Sequence, residues 1–423
     1  MKAFIQKILN SKFSRDTIWL ILAQLVVLVV GFLLNFGIEG HYGLDQLGYF
    51  TQSTSFYLIF SNLFSLGLNN TTIKRVSEFA SNREKQFRIF SQNLMLSLGI
   101  SVMLSLFVMT LLMIFPKLFS SEEVVALLKI QLIGVPFFCA NKQFAALYSG
   151  QRRQRTFAIQ RLIRWTSIGV LLLIAILIEY PVWYVILAFV VVEIGVFLYN
   201  VVRNVSSMRF NWVSEELKAN LSFGIKSYIA EILAVFNSNM DVILLGYLLD
   251  PKEMGIYSFM IFFIKALYIF PGIIMQNMSP VISVLWESKQ IQELQRKVSL
   301  VSRVNMIVAF LQFVGVIVVY YLIVTYFKDS MIGSTQFFII AAIGAFIFSL
   351  VSWSGSMLVM SGKLKVNFQR TLLVLIISTI NILVFGYYFG LLGAAIAVGL
   401  NGVFNFIIMG LLIRKEMGIK VIL

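Results

Sequence analysis

The chain has 423 residues, of which 59% are hydrophobic and 13% are charged. Soluble domains carry about 25% charged residues, so this composition excludes a soluble globular protein and indicates a membrane protein. The formal net charge of +15 does not indicate nucleic-acid binding, because the basic residues lie in short groups between apolar segments and not on one folded face.

Apolar segments long enough to cross a hydrocarbon core of about 30 Å recur along the whole chain. Backbone amides in lipid must be hydrogen-bonded within a helix or a closed barrel, and segments of this length exclude barrel strands. The sequence therefore predicts an all-α, polytopic membrane protein with about twelve transmembrane helices. The predicted spans are residues 17–38, 46–72, 89–115, 122–147, 160–179, 181–202, 220–248, 253–285, 300–327, 333–361, 367–388 and 390–413. In span 8, Pro271-Gly272 predicts a kink, because proline removes a backbone donor.

Lys and Arg residues occupy alternate connections between the spans. One set of connections, with both termini and the adjoining helix ends, holds 27 of them, including Arg161 and Arg164 around the connection after span 4. The opposite set holds only Lys117, Lys252 and Lys328. Cytoplasmic connections carry the excess of basic residues, so we predict that both termini are cytoplasmic. At the N-terminus, Phe4, Ile5, Ile8 and Leu9 share one helical face; the segment is either a helix in the headgroup region or a basic tail.

A weak internal repeat appears when the chain is displaced by 207 positions. The shift pairs Leu47-Gly48-Tyr49-Phe50 with Met254-Gly255-Ile256-Tyr257, and it overlays spans 1 and 2 on spans 7 and 8 in the same direction. We interpret this as two six-helix lobes related by an axis along the membrane normal. The N-lobe comprises residues 1–213, with the basic N-terminal segment and helices 1–6, and the C-lobe comprises residues 214–423, with helices 7–12.

The segment from Leu221 to Ser283 begins LSFGIKSYIAEILAVFNSNMDVILLGYLLDPKEMGIYSF. It resembles the seventh and eighth helices of polysaccharide exporters of the multidrug/oligosaccharidyl-lipid/polysaccharide superfamily. In that pattern a Gly-led helix runs through an aspartate to a short outer turn and a Gly-Xaa-Tyr start, here Gly255-Ile256-Tyr257. Helix number, terminal placement and length are similar to those of the O-antigen flippase (Wzx-type) branch. The family often has Arg after that aspartate, whereas this chain has Val242 after Asp241.

The resemblance implies a V-shaped pair of lobes around a central cavity, with alternating access. It also implies a multi-pass protein of the bacterial inner membrane, in lipopolysaccharide or related polysaccharide biosynthesis. The implied substrate is undecaprenyl pyrophosphate bearing an oligosaccharide repeat unit, moved from the cytoplasmic to the periplasmic leaflet. The other partners that we consider are membrane lipids, a coupling proton or sodium ion, and other polysaccharide-assembly proteins; nucleic acid is not among them.

Ionisable residues inside the predicted spans are the candidate functional groups, because a charge at the bilayer centre costs about 2.5–3.5 kcal/mol and rarely faces lipid. The candidates, chosen away from the basic connections, are Lys129, Lys142, Glu193, Lys226, Glu231, Asp241 and Lys265. Span 7 carries three of them on a polar stripe covering an arc of about 140°. The members of that stripe are Lys226, Ser227, Glu231, Asn237, Ser238 and Asp241.

A pyrophosphate needs cations in a shielded cavity, and Lys226, Lys265 and Lys129 are the predicted substrate-binding residues. Lys142 lies close enough to the cytoplasmic surface for its ammonium group to reach water. Glu231, Asp241 and Glu193 are the predicted ion-coupling residues. Two alternatives stay open: Glu231 and Lys265 pair with each other and hold spans 7 and 8 together, and Glu193 either faces the cavity or hydrogen-bonds a neighbouring helix.

The polar face of span 2 has a functional and a structural interpretation. Its small polar side chains either contact sugar hydroxyls or form helix-packing contacts, and packing is the favoured interpretation for most of them. The residues are Ser53, Thr54, Ser61, Asn62, Ser65 and Asn69.

The sequence offers no catalytic constellation. His41 is the single histidine and Cys139, the single cysteine, lies in an apolar segment. We therefore predict no catalytic residue, no metal and no cofactor, and a transporter and not an enzyme.

Two other functions remain as alternatives. A cation-coupled efflux antiporter of the same fold would use Glu231 and Asp241. A membrane-embedded polysaccharide polymerase would be expected to have a long outer loop, yet the longest predicted outer connection is 39–45.

Overall fold

The computed structural model describes residues 12–209 and 214–421, and helices dominate both ranges. The predicted amphipathic face at Phe4, Ile5, Ile8 and Leu9 lies outside the described residues. Contacts divide the chain into two compact units, Met1–Val235 and Phe236–Leu423. The division falls inside a long helix that the sequence assigns wholly to the C-lobe, so the lobe boundary at 213/214 stays a prediction.

The first unit contains seven helices and the first part of an eighth within the described residues. They are α1 (Lys12–Tyr42), α2 (Leu44–Phe64), α3 (Leu68–Glu78), α4 (Arg83–Ile114), α5 (Glu122–Gly150), α6 (Gln154–Leu177), α7 (Trp183–Asn204) and α8 (Ser214–Leu248). Helix α5 packs against α2, α3, α4 and α7, while α1 packs mainly on α6. Helix α5 is therefore the central helix of this unit.

The second unit begins within α8 and continues through six further helices. They are α9 (Pro251–Ala266), α10 (Ile269–Glu287), α11 (Ile291–Phe327), α12 (Ser334–Ser352), α13 (Met357–Met360) and α14 (Leu364–Met417). Helices α12 and α14 approach most closely at three glycines, because a Cβ on Gly344 would lie 2.0 Å from the carbonyl oxygen of Gly399, and one on Gly402 would lie 2.1 Å from that of Gly344. Only residues without a side chain permit this helix contact.

The all-α class of the sequence analysis is confirmed, and ten helical segments in the described residues are long and apolar enough to cross a membrane. Two differences separate this count from twelve. The α2–α3 segment is too polar to qualify, and α14 counts once although its 54 residues would extend about 81 Å as one helix. Gly390, at φ 54° and ψ −133°, breaks α14 where predicted spans 11 and 12 meet. The number twelve stays a prediction.

Predicted span 2 is interrupted in the structure between α2 and α3. Gly67 adopts φ 67° in the left-handed region, where glycine has no steric penalty. A Cβ at Gly67 would lie 2.4 Å from the carbonyl oxygen of Gly224, so the turn packs directly on the backbone of α8. The close contact of two glycines fixes where α3 meets the first part of α8.

Predicted span 8 is also interrupted, but not at Pro271-Gly272 itself. Helix α9 ends at Ala266 and α10 begins at Ile269, so the break lies at Leu267 and Tyr268. The proline ring clashes with the carbonyl of the residue four positions earlier, which here is Leu267. Pro271 thus lies within the first turn of a new helix, and the interruption precedes it.

Contacts inside each unit bring its basic connections to one end. In the first unit, Gln86 donates to the carbonyl oxygen of Val76 at 3.0 Å, and Gln151 donates to Gln86 at 3.1 Å. In the second unit, Lys363 donates to Glu416 at 2.8 Å across a helix hairpin. We call these the basic ends of the two units.

The charge asymmetry predicts that the basic ends are cytoplasmic. In a Cys139→Ala background, single cysteines at His41, Tyr180 and Lys252, all exposed, should react with an impermeant thiol reagent added outside intact cells. Single cysteines at Ala80, Ser206 and Gln290, also exposed, should react only after the membrane is opened. The opposite labelling pattern would contradict the predicted orientation.

Candidate functional site

A cavity of about 180 Å³ lies between α5, α6 and α7 in the first unit. Each of the first two helices presents one face, because residues spaced by three, four and seven positions lie on the same side of a helix. The α5 face consists of Phe138, Asn141, Lys142 and Ala145, and the α6 face of Phe157, Gln160, Arg161 and Arg164. Glu193 and Val196 of α7 complete the lining. Three cations and one carboxylate thus surround a small cavity, which we call the interior cavity.

Arg164 and Glu193 form the closest ion pair of the interior cavity. Arg164 contacts Glu193 Oε1 at 2.5 Å through two guanidinium nitrogens, and the side chain of Glu193 is only 1% exposed. Asn141 Nδ2 donates to Glu193 Oε2 and to the Glu193 carbonyl oxygen, both at 2.9 Å. The guanidinium also lies over the ring of Phe138, 4.9 Å from its centroid. Both oxygens of the carboxylate are therefore bound, and Arg164 is held in one orientation.

Buried amides continue this network along α5 and α7 towards the basic end. Asn200 Nδ2 donates to Asn141 Oδ1 at 3.3 Å, and the Tyr148 hydroxyl donates to Asn200 Oδ1 at 3.0 Å. Asn204 Nδ2 then donates to the Tyr148 oxygen at 3.0 Å. Polar groups buried this deeply must find partners, and this ladder supplies them.

A second ion pair adjoins the interior cavity through Lys142. Its Nζ donates to Asn62 Oδ1 of α2 at 2.8 Å and lies 3.5 Å from Glu231 Oε1 of α8. Asn70 Nδ2 of α3 donates to Glu231 Oε2 at 2.8 Å. The side chains of Lys142 and Glu231 are 20% and 30% exposed, so this pair is more accessible than the pair of Arg164 and Glu193.

Arg161 differs from Lys142 and Arg164, each of which has a carboxylate partner. Its Nη2 donates to the amide oxygen of Gln24 on α1 at 2.8 Å. Among the described residues, no carboxylate lies within hydrogen-bonding distance of Arg161 to neutralise its positive charge.

The residues proposed from the sequence occupy several places. Glu193 is fully buried on α7 and accepts a hydrogen bond from Asn141 of α5. The expected hydrogen bond to a neighbouring helix is therefore present. For Glu231 the sequence left a pair with Lys265 open, and the partner that the structure gives it is Lys142. Lys129 is half-buried on α5, thirteen positions from Lys142 and about 20 Å away along the helix. The side chain of Lys226 lies outside the described residues.

Asp241 and Lys265 belong to the second unit. Tyr257, itself buried, donates to Asp241 Oδ2 at 2.6 Å, while Asp241 Oδ1 is buried without a hydrogen-bond partner among the described residues. Lys265 is exposed and lies in the last turn of α9, next to the helix break. On the polar stripe of span 7, Asn237 and Ser238 are exposed as well.

Arg161 and Arg164 were not among the site residues predicted from the sequence, and the partners of Lys142 were not predicted either. We counted both arginines with the basic connection after span 4, yet they lie inside α6 at about 11 and 15 Å from its start. Lys142, expected to reach towards the cytoplasmic surface, bonds to Asn62 and Glu231 instead. The spacing could have indicated the site, since Gln160, Arg161 and Arg164 lie three and four positions apart and share one helical face.

Most of the polar face of span 2 is buried, as the packing interpretation predicts, since Ser53, Ser61, Ser65 and Asn69 have little or no exposed surface. Ser53 donates to the carbonyl oxygen of Phe50, and Ser65 to that of Asn62. Thr54 accepts a hydrogen bond from Gln131 of α5 at 3.1 Å. Asn62 is the member of this face that reaches a charged group.

A sequence model described as "Polysaccharide biosynthesis protein" matches residues 13–286, which is well over half of the chain. No curated protein sequence matches the chain significantly. The fold, however, is similar to several solved structures. One is the lipid II flippase MurJ in an inward closed conformation, with a TM-score of 0.75 and 16% identity over 94% of this chain and 87% of the other.

Two other similar structures are multidrug transporters. An inward-facing multidrug resistance MATE family transporter of the MOP superfamily gives a TM-score of 0.78 with 13% identity, over 92% of this chain and 94% of the other. The MATE multidrug transporter DinF-BH gives a TM-score of 0.62 with 17% identity, over 94% of each chain. Identities this low establish the fold and not the substrate.

The buried pair of Arg164 and Glu193 predicts a large cost when one partner is removed. Glu193→Gln should lower the free energy of unfolding by about 3 kcal/mol or more, because Arg164 then keeps a buried charge without a counter-ion. The double variant Arg164→Gln/Glu193→Gln should lose less than the sum of the two single variants. Thermal unfolding of the purified protein in one detergent measures both effects.

The exposed pair of Lys74 and Glu78 is the matched control. Its side chains are 48% and 38% exposed, so Glu78→Gln should change the free energy of unfolding by less than about 1 kcal/mol. Equal effects of Glu193→Gln and Glu78→Gln would contradict the assignment of a buried, stabilised pair.

Proposed function

The chain belongs to the polysaccharide biosynthesis protein family, and from that premise we propose that it is a flippase for lipid-linked oligosaccharides. The proposed substrate is an undecaprenyl-pyrophosphate-linked repeat unit of O-antigen or a related surface polysaccharide. The protein moves it from the cytoplasmic to the periplasmic leaflet of the bacterial inner membrane by alternating access. The fold of the multidrug/oligosaccharidyl-lipid/polysaccharide exporter superfamily supports a transporter, and supports it over a polymerase.

The interior cavity is the observation that carries this proposal. Its lining holds Lys142, Arg161 and Arg164 against the single carboxylate of Glu193, so positive charge is in excess. Guanidinium groups bind phosphate oxygens with two parallel hydrogen bonds, and such charge-assisted bonds are stronger than neutral ones. A diphosphate is the part of the proposed substrate that such a cavity suits.

The three cations are not equally available to a phosphate. Arg161 is bound to a neutral amide and offers its full charge, whereas Arg164 is committed to Glu193. Lys142 is intermediate, because its contact with Glu231 is long at 3.5 Å and both side chains are partly exposed. In the proposed mechanism Arg161 binds the head group first, and Lys142 exchanges Glu231 for a phosphate oxygen.

The membrane potential supplies a driving force for the outward step. The bacterial interior is electrically negative, and each negative charge that crosses the full potential outward gains about 2.3 kcal/mol per 100 mV. The cations lower the cost of taking the head group out of water, while the potential sets the direction. Lys129, Lys226 and Lys265 stay in the proposal as further cations along the path.

A cation-coupled efflux antiporter is the second candidate, and Asp241 favours it. A buried carboxylate oxygen without a hydrogen-bond partner is costly, and a bound cation or a proton would remove that cost. The Asp241 site and the interior cavity lie in different units and are compatible with one protein that couples flipping to an ion.

Flipping in reconstituted vesicles tests the proposal directly. With a fluorescent lipid-linked oligosaccharide, outward transport should rise when the compartment that represents the cytoplasm is made negative. Arg161→Ala should reduce the rate at least tenfold, since a hydrogen bond to a charged group contributes about 1.5–3 kcal/mol. Arg161→Lys should retain more of the rate, because it keeps the charge.

Arg303→Ala is the control, because Arg303 is an exposed arginine at the basic end of the second unit. It should leave the rate within about twofold of the parent protein. Transport that ignores the potential, or that survives Arg161→Ala unchanged, would contradict the electrostatic mechanism.

Replacing Glu231 tests the proposed ion coupling separately. Glu231→Gln keeps the shape and the hydrogen bond from Asn70, but it removes the charge that pairs with Lys142. The variant should insert normally and yet lose most export of glycan in a strain that lacks its own flippase, because Glu231 is a proposed ion-coupling residue and its titratable charge is gone. Export at the parent level would show that the carboxylate charge is dispensable.

A further inference from the structure

A second cavity, of about 730 Å³, opens at the basic end of the first unit. It lies where the connection between α3 and α4 meets the end of α5 and the start of α6. Its lining includes Arg83, Arg152 and Arg153, with the polar side chains of Ser77, Gln86 and Gln151. No acidic residue of the described chain lines it. We call it the arginine pocket.

Two of the three arginines are held in place by aromatic rings. The guanidinium carbon of Arg83 lies 5.6 Å from the ring centroid of Phe87, and that of Arg153 lies 5.5 Å from the ring centroid of Tyr148. Arg153 also donates to Gln151 at 3.4 Å. Such contacts restrict the side chains before a ligand arrives, and the entropy lost on binding is smaller as a result.

Arg152 occupies a backbone position that glycine would fill without strain. Its φ is +54°, in the left-handed region. The amide of Arg153 donates to the carbonyl oxygen of Tyr148 at 2.8 Å, which is the bond that closes the Schellman motif at the end of α5. Glycine is the usual residue at this point of that motif, so the arginine side chain is present despite a backbone cost.

The second unit contains a comparable cavity that provides an internal comparison. It measures about 710 Å³ and lies where the end of α10 and the start of α11 meet the end of α13. Its lining, however, includes Trp286, Glu287, Lys289 and Met360. Each unit therefore has a cavity of this size at its basic end, but only the one in the first unit is lined by several arginines. The arginines are a property of this pocket and not of the helix arrangement alone.

We propose that the arginine pocket binds the phosphate-bearing head group of an anionic phospholipid from the adjacent leaflet. The pocket lies at the ends of three candidate membrane spans, α4, α5 and α6, and lipid head groups are concentrated where such helices leave a bilayer. Basic pockets between transmembrane helices at such ends are suited to anionic head groups. A bilayer phospholipid fits better than the transported head group, because the cations of the interior cavity are available to the latter. The site would fix the first unit against the lipid surface.

Retention of phosphatidylglycerol by the full-length protein tests this inference. The purified protein is titrated in neutral detergent with phosphatidylglycerol or with phosphatidylcholine, and bound lipid is counted by native mass spectrometry. The parent protein should prefer phosphatidylglycerol. The variant Arg83→Gln/Arg152→Gly/Arg153→Gln should bind it at least tenfold more weakly, since each basic residue near a membrane surface contributes about fivefold.

A triple variant elsewhere separates a site from general charge. Arg296→Gln/Arg303→Gln/Arg414→Gln removes three exposed arginines from the basic end of the second unit, and it should leave phosphatidylglycerol binding within about twofold. Equal losses in the two triple variants, or no preference for phosphatidylglycerol in the parent protein, would overturn the proposal.

A folding defect is tested separately with Arg152→Gly. Because glycine adopts positive φ without strain, this single variant should keep or raise the thermal unfolding midpoint in the absence of added lipid. It should nevertheless bind phosphatidylglycerol more weakly than the parent. Unchanged binding together with a raised midpoint would show that Arg152 is not part of a lipid site.

Discussion

The first unit depends on how α5 distributes its polar side chains inside an apolar bundle. Successive residues of a helix point about 100° apart, so the three polar residues Asn141, Lys142 and Gln143 face three different directions. Asn141 binds Glu193 of α7, Lys142 binds Asn62 of α2 and Glu231 of α8, and Gln143 accepts a hydrogen bond from Thr72 of α3. One turn of α5 therefore fixes the helices around it, and it places the interior cavity beside two ion pairs.

Much of the fold was predictable because hydrocarbon imposes a simple rule on sequence. Each predicted span lies largely within a helix or a pair of helices, and Gly390 separates the two parts of α14 where the sequence places a connection. The break at Gly67 was not predicted, because a glycine in an apolar segment also suits a continuous helix. It became recognisable only through its contact with Gly224, which is more than 150 residues away in the chain.

The site was harder to predict than the spans, for a different physical reason. Counting basic residues identifies the basic ends, but it assigns every arginine near a helix end to the connection, and Arg161 and Arg164 were misassigned in this way. Helical spacing would have shown that they share a face with Gln160. Which carboxylate faces them depends on how neighbouring helices are rotated, and no local pattern encodes that rotation. Glu231 and Lys142 were both among the candidate residues, but the sequence did not predict that they pair with each other.

The charge balance is consistent with a cavity that is stable in a membrane and that receives the proposed anion. A cavity lined only by cations would be costly in a medium of low dielectric constant, and a cavity with every cation paired would offer nothing to a phosphate. In this cavity the cations are paired to different degrees. Arg164 is bound closely by Glu193, which Asn141 holds in place, while Lys142 lies at a longer distance from Glu231. Arg161 keeps a neutral partner in Gln24. An arriving diphosphate would therefore gain most from Arg161, and it would compete with a carboxylate only at Lys142, where the existing contact is the more exposed of the two.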